Sequence, residues 1–486
     1  MADASSDRTA DRLVARLVED GQYEAALSAV QKHLFDAPHD GEALNEAGVI
    51  LHALGHFEEA AEHLKRAVAN LDSARAAEAM ANLAEVYLSA RRPGDAEALF
   101  DGLARSGALS PDLANRTANC FLELKDTAGA VEALLHSLNA CPSQPVPAGV
   151  VEKLRALRPK VGILQPGRSG KALACVQEYL ARRFEVRVFH NDGTKELARM
   201  LHGCDIAWFE DCSPALAIAS KAAKRWRIIC RLRLEGAYSP WVEQVRWENV
   251  DVLIAPPNQA VLGYLRQRVP DLAGRTHLAL VPDGVDTARF AFSARQRGRN
   301  LACIGPLDMR HNPMFLLQCF RRLLEAHGPY HLAFAGMFTD DKVEYYLKNM
   351  VAHMGLSSVV SFEGFQEDLP AWLADKHYVV SAEVAAIQPT SVLEAMACGL
   401  RPVVHHFPGA EDFLDRRHLF ATPEEFCRQI AEESYAPAKY RDMVTERFTL
   451  KDQLGAISGI LRELEKAPLL KAGPGPSAQT GAFVRE

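Results

Sequence analysis

Small and large apolar residues alternate at a nearly fixed period in the first third of the chain. Four compact positions, 34, 36 and 34 residues apart, are Val14, Gly48, Ala84 and Ala118. A larger side chain follows each of them three residues later, at Leu17, Leu51, Tyr87 and Phe121. A second set of small residues comes twelve residues after the first, at Ala26, Ala60, Ala96 and Ala130. Small residues on both helices of a pair permit close packing, so the pattern predicts four helix pairs over residues 8–142.

The period of about 34 residues resembles that of the tetratricopeptide repeat, or TPR. The resemblance implies an all-α superhelix over residues 1–142, with a concave face that binds a peptide or a protein partner. A generic helical bundle is the alternative, which the periodicity disfavours. A proline-rich segment follows, and we expect residues 143–158 to be a linker that includes a short helix near 150–157.

From residue 159 onward, short apolar runs of strand length alternate with helical patterns. The runs are 161–164, 185–189, 206–209, 227–232 and 252–255, then 301–305, 331–335, 359–362 and 378–381. This alternation predicts two parallel, doubly wound sheets, in domains over 159–290 and 291–448. An amphipathic helix over 449–466 is expected to pack back on the first of them. Residues 467–486 are predicted to be a disordered tail.

The stretch from Ser381 to Val404 predicts a strand, a loop, a helix and a second strand. Thr390 and Ser391 are expected to cap the helix, and Glu394 to fall in its first turn. A helix that begins at the carboxyl end of a parallel strand directs its positive end at a crevice, where a diphosphate binds. A carboxylate such as Glu394 suits sugar hydroxyls rather than phosphate.

Two further segments of the first α/β domain contain candidate binding residues. The loop after the first strand reads G-x-x-x-x-G-R-S from Gly162. It lacks the lysine of a P-loop, so we interpret Gly167 as a position where backbone approaches a diphosphate. Arg231, Arg233 and Glu235 are placed at the carboxyl end of a strand and are candidates for the acceptor side of a cleft. The alternative is that the basic run around them is a solvated surface.

Composition narrows the function classes. The net charge of −7 argues against a nucleic-acid binder. No apolar run reaches the ~18 residues of a membrane span, and the polar N-terminus lacks a signal-peptide core. The ten cysteines are scattered with no C-x-x-C pair, which favours reduced thiols and a cytoplasmic location. The sequence also lacks a D-x-D motif of the kind that holds a metal on a diphosphate.

The segment Glu394-Ala395-Met396-Ala397-Cys398-Gly399, with Pro402-Val403-Val404 after it, resembles the donor-site signature of retaining GT-B glycosyltransferases of family 4. The segment Val281-Pro282-Asp283-Gly284-Val285-Asp286 resembles the one before their interdomain linker. The resemblance implies an α/β GT-B fold of two facing Rossmann-like domains after the repeats. It also implies a nucleotide-sugar substrate, sugar transfer with retention, no cofactor and no metal ion.

The chain departs from the family pattern at three positions. Ala386 takes the place of a glutamate, and Glu383 lies three residues too early to replace it. Pro306 and His311 take the places of an arginine and a lysine. Arg310 is expected to supply the charge, with His311 when protonated. The implied catalytic residues are Glu394 and Arg310, and the implied donor-binding residues are Gly167, Gly305, His311, Thr390, Ser391 and Glu394.

The sequence therefore predicts a glycosyltransferase whose array recruits a protein, in one version the acceptor itself. A bacterial surface protein such as flagellin is one candidate acceptor. A surface glycan or a lipid-linked acceptor, with peripheral membrane contact, is another. The alternative function is a scaffold, in which a weakened transferase fold supports protein binding by the repeats.

Overall fold

A computed structural model describes residues 13–165 and 171–466. Contacts divide the chain into two compact units, Met1–Arg158 and Pro159–Glu486. Within the described residues, each apolar core cluster lies inside one unit. The two units are therefore described separately.

The first unit is a succession of antiparallel helix pairs. Its helices are α1 (13–19), α2 (Tyr23–Asp36), α3 (Gly41–Ala53), α4 (Phe57–Asn70), α5 (Ser73–Ser89), α6 (Pro93–Glu97), α7 (Phe100–Arg105), α8 (Pro111–Glu123), α9 (Thr127–Ala140) and α10 (Pro145–Leu157). They form four pairs followed by α10, and the second helix of the third pair is split into α6 and α7. This is the helical repeat region that the 34-residue period predicts.

Close packing inside a pair explains the small residues of the repeat. A Cβ atom on Gly48 of α3 would lie 2.5 Å from Cγ of Leu64 on α4. Ala60 of α4 is fully buried. Gly21 and Gly55 fall in the turns between paired helices with φ of +72° and +82°, a conformation that glycine adopts without steric cost.

Most of the segment expected to be a linker is a packed helix. Val151 and Leu154 of α10 are buried in the core that the last three repeats form. Pro145 is compatible with this helix because it occupies the first turn, where a backbone N–H has no intrahelical partner. The boundary between the units thus falls after α10, between Arg158 and Pro159.

The second unit contains two parallel six-stranded sheets. The first has the order β2-β1-β3-β4-β5-β6, with strands β1 (Val161–Leu164), β2 (Val186–Phe189), β3 (Ile206–Glu210), β4 (Arg227–Arg231), β5 (Val252–Ala255) and β6 (His277–Leu280). Its helices are α11 (Lys171–Ala181), α12 (Thr194–His202), α13 (Pro214–Lys221), α14 (Leu234–Tyr238), α15 (Gln259–Arg268) and α16 (Leu272–Arg275).

The second sheet has the order β12-β11-β10-β7-β8-β9. Its strands are β7 (Asn300–Ile304), β8 (His331–Ala335), β9 (Val360–Phe362), β10 (Tyr378–Ser381), β11 (Arg401–His405) and β12 (Leu419–Phe420). The helices are α17 (Pro313–His327), α18 (Asp341–His353), α19 (Leu369–Trp372), α20 (Thr390–Ala397), α21 (Pro423–Ala431), α22 (Pro437–Thr445) and α23 (Leu450–Lys466). Short 3-10 turns occur at Pro240–Glu243, Trp247–Asn249, Ala410–Asp412 and Arg416–His418.

The last helix returns to the first sheet. Ile457 and Leu461 of α23 are buried in a core cluster with β1 and β3 residues such as Ile163 and Trp208. At the start of the helix, the backbone N–H of Leu450 donates to the carbonyl of Val285 at 2.9 Å. The chain segment between the two sheets is therefore held against the beginning of α23.

We predict that Gly284→Ala lowers the free energy of unfolding by about 2–3 kcal/mol, because overpacking against backbone cannot relax locally. An added Cβ would lie 2.4 Å from the Cα of Leu450 and 2.6 Å from the carbonyl oxygen of Thr449. Urea denaturation followed by circular dichroism measures the change.

The matched control is Gly455→Ala in α23. Gly455 is exposed, and a Cβ atom there meets nothing within 4 Å. Alanine favours a helix over glycine, so stability should rise by about 0.5–1 kcal/mol. Equal stability of Gly284→Ala and the wild type would contradict the packing described at this position.

Candidate functional site

The loops that follow β7, β8, β9 and β10 meet at one edge of the second sheet, because all four strands are parallel. Backbone hydrogen bonds join these loops. Leu307 N–H donates to Met337 at 2.9 Å, Gly336 N–H to Gly364 at 2.8 Å, and Val384 N–H to Arg310 at 3.0 Å. The loops therefore form one connected surface.

Gly305 and Gly336 shape the first two of these loops. Gly305 has φ of +145°, and a Cβ atom on it would lie 3.0 Å from Cδ2 of His311. Gly336 has φ of +159°, and its Cβ would lie 1.8 Å from the carbonyl oxygen of Gly305. Gly305 is thus required by its own loop, since the imidazole of His311 fills the space that a side chain would need.

A buried carboxylate holds the candidate cation of the site. Nη1 of Arg310 donates to Oε1 of Glu383 and, at 3.2 Å, to the carbonyl of Ala385. The Glu383 side chain is 13% exposed and that of Arg310 is 36% exposed. Burial raises the pKa of Glu383 to about 7; Arg310 opposes this rise, and the nearby charges of Asp308 and Glu235 add to it.

Glu383 does not match the spacing of the family pattern. The structure places it at the centre of the cluster, 73 residues from Arg310 along the chain. Ala386, where the pattern has a glutamate, is buried in a core cluster, and its carbonyl accepts a hydrogen bond from Asn258 at 3.0 Å. The sequence signal that could have identified Glu383 is a single charged residue two positions after the buried strand β10.

His311 is tied to the other carboxylate of its loop. Its Nδ1 is 2.6 Å from Oδ1 of Asp308, and its Nε2 is 3.4 Å from Nη2 of Arg310. Burial lowers the pKa of His311, an effect that Asp308 opposes and Arg310 strengthens. The network therefore assigns a neutral ring with its proton on Nδ1 and an accepting Nε2. The lowered pKa disfavours the protonated ring that a positive charge at His311 would require.

Helix α20 begins beside this cluster. Its N-cap residue is Pro389, so Thr390 and Ser391 lie inside the first turn and do not cap the helix as expected. Ser391 Oγ donates to the carbonyl of Ile304 at 3.3 Å, which fixes the helix start against the end of β7. Glu394 is the fifth helical residue and half-buried, one position beyond the turn predicted for it.

Two of the three acceptor-side candidates belong to an ion-pair network. Nη2 of Arg231 lies 2.5 Å from Oδ1 of Asp283, and its Nη1 lies 3.3 Å from Oε1 of Glu210. Nη1 of Arg233 lies 2.7 Å from Oδ2 of Asp283. The Arg231 side chain is only 3% exposed, so it stabilises the fold and cannot reach an acceptor. Arg233 is partly exposed.

The third acceptor-side candidate is Glu235, on helix α14. It is exposed, and its charge contributes to the raised pKa of Glu383. The carboxyl edge of the first sheet therefore places a negative charge near the cluster at the edge of the second sheet.

Asp283 also connects the first sheet to the loop before α20. Its backbone N–H donates to Oε1 of Gln388 at 2.8 Å, and its carbonyl accepts from Nε2 of the same glutamine at 2.6 Å. Gln453 of α23 donates to Oδ1 of Asp283 at 3.2 Å. Burial opposes ionisation of Asp283, but Arg231 and Arg233 outweigh it and hold the pKa of this carboxyl well below its usual range.

Exposed apolar side chains surround the cluster. We call them the apolar rim; its members are Met309, Met337, Phe365 and Val384. Each lies on a loop at the carboxyl end of a different strand, β7 to β10 respectively.

Gly167, which the sequence predicted to bind the donor, lies outside the described residues.

Within residues 13–165 and 171–466, no group of three or more His, Cys, Asp or Glu side chains is arranged to hold a metal ion. In the same ranges, no helix combines the length and the apolarity needed to cross a membrane.

Comparison with protein families gives two matches. Residues 298–433 match the model described as glycosyl transferases group 1. Residues 13–79 and 81–145 match the model described as tetratricopeptide repeat. No curated protein sequence matches the chain.

Solved structures similar to this chain are glycosyltransferases. HepE from Anabaena, in complex with UDP, is 16% identical and aligns with 63% of this chain and 99% of its own, at a TM-score of 0.54. A glycosyltransferase from Rickettsia africae is 12% identical and aligns with 64% of this chain and 100% of its own, at a TM-score of 0.52. At these identities the likeness shows a shared fold.

The two parallel-sheet domains match those of GT-B glycosyltransferases. All the described donor-site candidates lie between residues 298 and 433. The chain thus combines an N-terminal array of tetratricopeptide repeats with a GT-B fold that contains a glycosyl transferases group 1 domain.

Proposed function

We propose that this protein transfers a sugar from a nucleotide-sugar donor to an acceptor. The observation that carries the proposal is the position of Arg310, at the edge of the second sheet where helix α20 begins. A guanidinium and the positive end of a helix are both suited to a diphosphate. They meet inside the segment that matches the group 1 family.

In the proposed mechanism, Arg310 and the first-turn amides of α20 stabilise the negative charge on the departing diphosphate. Ser391 supplies a first-turn amide, whereas Thr390, whose backbone N–H donates to the carbonyl of Gln388 at 3.0 Å, contributes its hydroxyl to phosphate or sugar oxygens. Glu394 accepts hydrogen bonds from donor hydroxyls, most simply those of the ribose. The apolar rim offers a surface for the base.

Three finer properties follow from the resemblance to family 4 and belong to the proposal. The transfer retains the configuration at the anomeric carbon. The leaving group is neutralised by protein groups, so no metal ion takes part, and no cofactor is needed. The donor-side loop of the first domain includes Gly167. UDP-glucose is the first donor to test, because HepE was crystallised in complex with it.

The repeats support a proposal about the acceptor. Arrays of this kind bind peptides and proteins, and this one shares a chain with the transferase fold. We propose that the array recruits a protein acceptor, such as a bacterial surface protein, and that the reaction takes place in the cytoplasm.

Removal of the guanidinium should reduce turnover far more than donor binding. We expect Arg310→Ala to lower the release of nucleoside diphosphate from nucleotide-sugars by about 10²–10³-fold, because it removes charge stabilisation from the leaving group. Arg310→Lys should recover only part of this activity, since an ammonium cannot form a bidentate fork.

We expect Glu394→Gln to raise the KM for the nucleotide-sugar about tenfold, because it weakens the hydrogen bonds that the carboxylate accepts from donor hydroxyls.

The control for these variants is Arg321→Ala. Arg321 is a partly exposed arginine on α17 that pairs with Glu325, and its loss should leave turnover unchanged. A panel of nucleotide-sugars that begins with UDP-glucose identifies the donor. Absence of both binding and turnover with every member would contradict the enzyme proposal and favour the scaffold.

Metal removal tests the proposed charge stabilisation. Dialysis against EDTA should leave the rate of nucleoside diphosphate release within about twofold of its starting value, because Arg310 and helix amides neutralise the leaving group. A large loss of rate that Mg²⁺ or Mn²⁺ restores would contradict metal independence without affecting the transferase assignment.

Separation of the two units tests recruitment. A chain that begins at Pro159 keeps every core cluster of the second unit, so it should still bind and turn over the donor. Transfer of labelled sugar to proteins of a cell lysate should be lost, and the separate 1–158 unit should not restore it. Undiminished protein labelling by the shorter chain would contradict recruitment by the repeats.

A further inference from the structure

The cation proposed to bind the diphosphate already has partners within the protein. Arg310 directs Nη1 at the carboxylate of Glu383, which lies deeper in the protein than the arginine does. The backbone of residue 310 is fixed by the hydrogen bond from Val384. A diphosphate can therefore recruit the guanidinium by side-chain rotation, but Glu383 cannot follow it toward solvent.

Loss of Arg310 leaves Glu383 in a setting that disfavours its charge. Asp308 and Glu235 are the nearby anions, and an incoming diphosphate adds two further charges. His405, at the end of β11, faces only the backbone of Glu383. Because His311 is held neutral, no other cation among the neighbours named here, all within the described ranges 13–165 and 171–466, replaces the arginine.

The structure provides a place for a proton. His311 donates its Nδ1 proton to Asp308, so its Nε2 is an acceptor, 3.7 Å from Oε1 of Glu383. A protonated Glu383 therefore has an acceptor nearby once Arg310 leaves, and a small side-chain rotation would bring the two atoms within hydrogen-bond distance. The bare carboxylate has no such partner in His311, because both would be acceptors.

We infer that Glu383 is a positioning residue: it holds Arg310 before the donor binds and releases it to the donor's diphosphate, taking up one proton from solution as it does so. This inference rests on the proposed function. The proton goes to Oε1 of Glu383, and no covalent bond of the donor changes in this step.

The direction of the pH effect follows from linkage. The pKa of Glu383 is about 7 before binding and is higher when the donor is bound, so binding favours the protonated acid. Affinity should therefore weaken as pH rises above about 7, approaching tenfold per pH unit. Uptake should approach one proton per donor near about pH 8.

Calorimetric titration of the full-length protein with UDP-glucose measures both quantities. The diphosphate diester of this probe keeps a constant charge from about pH 6 to about pH 8.5. Two buffers of different ionisation enthalpy give the number of protons taken up. Other nucleotide-sugars replace UDP-glucose if it does not bind.

Glu383→Gln should abolish the uptake and flatten the pH dependence above about pH 7. It should also bind the probe about tenfold more tightly than the wild type near about pH 8, because no protonation is needed. Glu363→Gln is the matched control. Glu363 follows β9, accepts from Trp372 and Ser361, and has a lowered pKa, so its loss should leave the uptake intact.

Binding without proton uptake in the wild type near about pH 8 would overturn the inference and leave the proposed function standing. Uptake that persists in a folded Glu383→Gln protein would also overturn it. Failure of every nucleotide-sugar to bind would overturn the proposed function and this inference with it. Proton uptake by the wild-type protein tests the inference even if the Glu383→Gln variant does not fold.

Discussion

A buried ion pair between Arg231 and Asp283 connects the parts of the second unit. Asp283 forms ion pairs with Arg231 and Arg233, which lie at or just after the end of β4. It also accepts hydrogen bonds from Gln388, in the loop before α20, and from Gln453 of the last helix. Removal of one member of such a pair typically costs about 3–5 kcal/mol, because it leaves an uncompensated buried charge. Asp283 therefore acts as a junction: its side chain contacts the two arginines and Gln453, and its backbone contacts Gln388.

This junction determines where the donor-site helix can begin. Gln388 is held at both of its amide atoms, and Pro389 and α20 follow it directly. Ser391 then contacts the end of β7, beside the loop that includes Gly305 and His311. A continuous series of contacts thus links the Arg231–Asp283 pair to the proposed diphosphate position. Each step is either a hydrogen bond or a neighbouring position in the chain.

Local patterns predicted the elements well. The 34-residue period predicted the helix pairs, and the alternation of apolar runs with helical patterns predicted the two parallel sheets. The pattern did not reveal β6, which is short and partly exposed, or the two-residue strand β12. Strands of this kind are formed by pairing to a neighbour, which leaves little trace in local hydrophobicity.

Long-range contacts were the part that the sequence could not supply. Arg231 resembled a cleft residue because its partner Asp283 lies 52 positions away. Glu383 does not match the spacing of the family pattern, although the fold brings its carboxylate to Arg310. In both cases the charge was visible, but the environment that decides its role depends on which loops meet at the sheet edges.

The imidazole of His311 also fills space in its loop, and this limits which side chains positions 305 and 311 can accept. Its ring fills the space beside Gly305 and occupies one oxygen of Asp308. A lysine there would leave that gap unfilled and place a flexible ammonium between Asp308 and Glu383. Replacement of His311 by lysine would therefore alter the packing beside Gly305 and the pairing of Asp308 at once. Gly305, Asp308 and Glu383 all lie near the His311 ring, so this one position affects all three.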